Sequence, residues 1–175
     1  LSKRLQLPLA IAALIVISVT AAWYCVEHRY TLYYGDAEAH WNIARRIVDS
    51  RTPGPEQIGT VWLPLPHLLM IPFVLNDFFW RTGLAMPSMI CFVAAGTFLF
   101  LAARRAGISG WAALAVFALN PNMLYLQSTP MTESLFIGAL AALLWSTLWF
   151  RDSQSVWAIV AAGVAINAAA LTRYE

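Results

Sequence analysis

Charge is what this 175-residue chain has least of: 11 Lys and Arg stand against 9 Asp and Glu, a net +2, in a sequence that is 60% hydrophobic. Charges so few and so scattered exclude a nucleic-acid surface, which needs a clustered basic patch. Two cysteines are too few for a disulfide framework. Cys25 ends the first apolar run and Cys91 lies inside a later one, so both read as free thiols acting as small hydrophobes. Internal repeats, low-complexity tracts and strand-like alternation are missing too, which leaves an all-α fold. A mean hydropathy of +0.64 is too high for a soluble domain and fits an integral, multi-pass membrane protein.

What is present are apolar runs near the ~20 residues that cross a bilayer core. Four good spans lie near 6–26, 84–103, 109–128 and 131–150, and a shorter fifth near 156–172. Lys3 and Arg4 precede the first run, but no small-residue cleavage site stands before AWYCVEHRY, so a retained helix is expected rather than a signal peptide. The chain starts at Leu1 and stops at LTRYE directly after an apolar run. It reads as the N-terminal part of a longer protein, forming one transmembrane domain over 1–175.

The stretch 62–80, WLPLPHLLMIPFVLNDFFW, differs: Pro64, Pro66, Pro72, His67, Asn76 and Asp77 make it a poor lipid-facing span. If it does not cross, Lys3, Arg4, Arg104, Arg105 and Arg151 share the inner side, as the positive-inside rule requires. The expectation is therefore a polytopic transmembrane helical bundle with an external loop, 27–82, carrying two juxtamembrane helices. Phe78, Phe79 and Trp80 suit the headgroup level. This topology also brings Asp36, the TPMTE turn at 129–133 and Arg173-Tyr174-Glu175 to the same outer face.

The scarce charge is concentrated in GDAEAHWNIARR, residues 35–46. As a helix over 36–50, Ala37, Trp41, Ala44 and Val48 form an apolar face, opposite Glu38, Asn42, Arg45, Arg46 and Asp49. Asp36 and His40, at i and i+4, project from the apolar side, while Glu38 can pair with Arg45. Asp36 also reads as a helix N-cap, and His40 as a packing histidine. D-x-E-x-H is a weak metal motif, because the middle residue falls on the wrong helical face. Glu133, after Pro130, either complements a helix dipole or marks a functional site at the membrane boundary. Arg173 either snorkels to headgroups or binds phosphate.

An Asp after the first span, the following A-R-R segment, Pro53-Gly54, the W-x-P-x-P-H element from Trp62 to His67, an NP…TE segment from Asn120 to Glu133 and a closing LTR carry a resemblance. Together they resemble the N-terminal half of GT-C glycosyltransferases, in particular the protein O-mannosyltransferase and aminoarabinose-transferase group. The resemblance implies transfer of a sugar from a polyprenyl-phosphate donor to a glycan, lipid or protein acceptor at the external or lumenal face, with inversion. It maps an essential acid onto Asp36 and a second onto Glu133, and juxtamembrane helices onto 36–50 and 64–80. The substrate would be bound by Glu38, His40, Arg45, Arg46, Trp62, His67 and Arg173. Relatives commonly carry Asp-Glu where this chain has Asp36-Ala37-Glu38, and a Lys-Pro-Pro lysine where it has Leu63-Pro64. Arg173, Arg45 or Arg46 then stands in for that lysine at the donor phosphate.

No cofactor is required by this reading, although a divalent metal is compatible with it. The expected location is a plasma membrane, or the inner membrane of a bacterium. Two other classes compete: a transporter or lipid flippase, whose sites sit near the midplane on broken helices, and a non-catalytic membrane subunit.

Overall fold

The computed structural model describes residues 3–59, 61–75 and 84–174. Among them every regular element is helical: α1 (Lys3–Glu27), α2 (Gly35–Val48), a 3-10 turn (Pro55–Ile58), α3 (Pro64–Val74), α4 (Met86–Arg105), α5 (Gly110–Ala118), α6 (Pro121–Gln127), α7 (Glu133–Ser153) and α8 (Val156–Ala170). Three of these are long and apolar enough to cross a membrane: α1 from Arg4, α4 and α7. They fall on the runs expected at 6–26, 84–103 and 131–150. The fifth run forms α8, at 15 residues shorter than a full span.

The run 109–128 is corrected by the structure. It is not one spanning helix but two, of 9 and 7 residues, because Asn120 caps a new helix through Asn122 N–H at 2.9 Å and Pro121 opens it. A proline cannot continue the preceding helix, so α5 ends at Ala118. The run still returns the chain along the bundle. α4 and α7 run parallel, with Arg105 meeting Asp152 at one end and Ser88 bonded to the Met131 carbonyl at the other.

The main core joins α1, α4, α5, α6 and α7 around Leu14, Phe92, Phe100, Leu114, Phe117 and Ala141. Small residues let these helices approach closely. A Cβ added to Gly138 would stand 3.3 Å from the Cys91 carbonyl oxygen, so the α4–α7 crossing depends on that glycine. Inside the bundle, Ser18 donates to Gln127 Oε1 at 2.6 Å and its carbonyl accepts from Gln127 Nε2 at 3.2 Å, a polar clamp between α1 and α6.

A second layer, α2 with α3, caps one end. Its cores are Trp41, Ala44, Met70, Val74 and Leu84 on one side and Ile43, Ile47 and Ile58 on the other. At 11 residues α3 is too short to span. The remainder of the helix expected over 64–80, with Phe78, Phe79 and Trp80, lies outside the described residues. The layer is tied to the bundle where two helix ends satisfy each other: Leu65 N–H, an orphan donor in the first turn of α3, bonds the Leu171 carbonyl after α8 at 3.2 Å.

Candidate functional site

A cleft of about 190 Å³ opens between this layer and the bundle. One wall is Asp36 and His40 of α2 with Val61, Trp62 and Leu63; the other is Met131, Thr132 and Glu133 with Thr172, Arg173 and Tyr174. Its size admits a headgroup or a single sugar ring rather than a whole lipid-linked molecule.

The α2 wall follows from helix periodicity. Ala37, His40, Trp41, Ile43, Ala44 and Ile47 are buried, while Glu38, Asn42, Arg45 and Arg46 are exposed. Acids in the first turn and arginines in the last complement the helix dipole at both ends. Two expectations for Asp36 are corrected. The N-cap is Tyr34, with Gly35 the first helical residue, so Asp36 sits one step inside the helix and does not cap it. It is also exposed, at the rim of the buried face rather than on it, although its neighbour Ala37 is fully buried.

The opposite wall is built from two helix ends. Glu133 begins α7, and Arg173 follows the closing turn of α8, where its N–H bonds the Ala169 carbonyl at 3.1 Å. Arg173 Nη1 donates to Glu133 Oε1 at 2.7 Å, with the two side chains 30% and 25% exposed. Glu133 Oε2 is buried without a hydrogen bond among the described residues.

Behind the α2 wall lies a contact that sequence reasoning did not foresee. His40 Nδ1 is 3.0 Å from His67 Nε2, and His67 Nδ1 is 3.0 Å from the Leu63 carbonyl oxygen. Both rings are buried, and Trp62 packs edge-on against His40 at 4.4 Å between centroids. Burial pushes the His67 imidazole down to about 4, with the neighbouring His40 acting in the same sense against the raising effect of the Leu63 carbonyl. His40 is also lowered, by burial first; Asp36 opposes the shift and Arg173 adds to it. The signal was present: two of the chain's three histidines lie on inward positions of α2 and α3.

Five of the nine anticipated residues therefore line one cleft: Asp36, His40, Trp62, Glu133 and Arg173. His67 supports it from behind. Glu38 lies on the exposed face and does not line it, and Arg45 meets Asp49 at 3.6 Å, one helical turn on, rather than the expected Glu38. Arg45 and Arg46 line a separate hollow with Asn42 and Asp49, on the far side of Trp62. The lining residues Thr132 and Tyr174 lie in the two segments expected on this face, though neither was singled out for the site, and Thr172 is revealed only by the fold. Among the described residues, no three His, Cys, Asp or Glu side chains are grouped to hold a metal ion. No family model, curated protein or solved structure matches the chain.

Proposed function

We propose that the chain belongs to a multi-pass membrane glycosyltransferase that moves a sugar from a polyprenyl-phosphate donor to an acceptor hydroxyl, with inversion. The observation that carries the reading is the pairing, across one small cleft at the ends of apolar helices, of an exposed carboxylate with a guanidinium steered by a second carboxylate. A lipid-linked sugar phosphate keeps its tail in the bilayer and its reactive carbon at the interface, so the groups that process it must sit where spanning helices end.

In this reading Asp36 takes the proton of the acceptor hydroxyl as its oxygen attacks the anomeric carbon from the face opposite the phosphate. The bond from that carbon to the phosphate oxygen breaks, and the phosphate leaves with the electron pair. Arg173 stabilises the charge that develops on it, and Glu133 Oε1 aims the guanidinium. Arg173 fills the role of the absent lysine better than Arg45 or Arg46, which line a different hollow. The position of the cleft at helix ends favours this chemistry over a transport path, whose binding groups would lie mid-helix.

The test is transfer of radiolabel from a polyprenyl-phosphate sugar in membranes carrying the protein, with Asp36→Asn as control. Labelled product from wild type and not from the variant supports the reading. Equal labelling by both removes Asp36 from it, and no labelling above protein-free membranes removes the reading.

A further inference from the structure

The Leu63–His67–His40 chain has a direction. A backbone carbonyl can only accept, so His67 Nδ1 carries the hydrogen that bonds Leu63. A neutral His67 then has only a lone pair on Nε2, and His40 Nδ1 must donate to it. Neutrality of His67 holds throughout the physiological range, since its proton is lost near pH 4. The consequence falls on the last atom of the chain: in neutral His40 the hydrogen is spent on Nδ1, and Nε2 keeps its lone pair. Nε2 makes no hydrogen bond among the described residues, and the ring lines the cleft. Among the described residues, the charged or titratable groups that act on His40 are Asp36 from its own helix, His67 from α3 and Arg173 beyond α8; Glu133 and Tyr174 line the same cleft, and the neutral Trp62 packs edge-on against the ring.

We propose that His40 is a specificity-determining residue of the cleft, its Nε2 held as a fixed hydrogen-bond acceptor by His67 as positioning residue, and that the occupant meets this wall with hydroxyl groups. Asp36 and His40, one helical turn apart, then offer two acceptors to a polyhydroxylated ring, while its anionic group faces Arg173. A hydroxyl has one hydrogen, so the hydroxyl read by His40 is a different one from that deprotonated at Asp36. The identity of the ring as a transferred sugar rests on the proposed function; the tautomer and the hydroxyl preference do not.

Side-chain nitrogen NMR on the whole chain in lipid nanodiscs separates the two. At neutral pH His40 Nε2 should give an unprotonated, pyridine-type signal and Nδ1 a protonated one. His67→Leu should mix the two forms, and His67→Gln, whose amide oxygen can accept from Nδ1–H, should restore them. A hexose 1-phosphate should shift the Nε2 signal, while inorganic phosphate at the same concentration should not. In membranes with transfer activity, His40→Phe should raise KM about tenfold, the worth of a hydrogen bond of roughly 1.4 kcal/mol, and change kcat much less. A protonated Nε2 in the wild type, or an equal response to phosphate alone, overturns the proposal. So does an unchanged KM in His40→Phe. Absence of transfer by the wild type overturns the function and leaves the NMR result to decide the tautomer.

Discussion

Helix α7 has an ion pair at each end, and the two are built differently. At its C-terminal end Asp152 meets both Arg105, at 3.1 Å, and Arg151, at 2.8 Å, and Arg151 also donates to the Arg105 carbonyl. Both Asp152 oxygens are engaged, and the side chains are 32% to 57% exposed. At its N-terminal end one Glu133 oxygen holds Arg173, the other is buried without a hydrogen bond, and an acid and two histidines stand nearby. A pair that satisfies itself at the surface pins helices together. One that leaves an acceptor atom buried beside a cleft carries a desolvation cost that the surface pair does not.

If the two ends lie on opposite sides of a membrane, labelling is all-or-none. Asn42→Cys, on the exposed face of α2, should react with an impermeant maleimide from outside intact cells, while Ile108→Cys, exposed beside the Asp152 cluster, should react only after permeabilisation. Reaction of both from outside would put the two ends on one side and dissolve the comparison. Next in size is Asp36→Asn, which should lower transfer ~10²–10⁴-fold, the usual cost of losing a general base. Because Asp36 does not cap α2, expression and helix content should be unchanged. Arg173→Gln should cost ~10²–10³-fold, as for loss of one donor to a developing anion. If Arg173→Gln keeps full kcat, the guanidinium is a headgroup anchor.

Acid sharpens the contrast in another way. The folded-state pKa of His67, about 4, lies below its ordinary 6.5, so the native protein binds fewer protons than the unfolded chain between these values. The associated stability is complete above pH 6.5 and falls as pH drops toward 4, by on the order of 3 kcal/mol at one pKa unit per ~1.4 kcal/mol. Hydrogen exchange in α2 and α3 should accelerate over this window in wild type, and much less in His67→Gln. Equal acceleration in the variant would mean that another group controls the layer.

How much of this was legible in the sequence depended on which force set each feature. Burial periodicity fixed α2 to within a residue or two, and apolar length fixed α1, α4 and α7. The break at Asn120-Pro121 was overlooked because hydropathy is blind to caps, although the dipeptide is a helix-start signal. The distant pair Glu133–Arg173 could be placed on one side by counting spans, but their contact depends on how α8 ends against α7. Rim positions misled most: a wheel treats every turn of α2 alike, whereas Asp36 is exposed and His40, one turn on along the same side, is 2% exposed. The histidine contact needed the α2–α3 crossing, which no local pattern encodes.

The smallest effect is expected at the other end of α7. Asp152→Asn removes the carboxylate between Arg105 and Arg151 and leaves two cations close together. All three side chains are substantially exposed, so water and salt screen both the lost attraction and the new repulsion. The Arg151 bond to the Arg105 carbonyl, at 3.0 Å, needs no carboxylate and keeps α4 and α7 joined. Exposed pairs contribute little, so thermal stability should fall only slightly, more at low ionic strength than at high. Transfer should be unchanged, whereas Glu133→Gln, the matching change at the cleft end, should slow it. Each variant removes one negative charge from one end of one helix, which makes the pair a controlled comparison. Loss of transfer in Asp152→Asn to the same degree as in Glu133→Gln would show that both ends act through the packing of α7 alone, and that the cleft has no chemistry of its own.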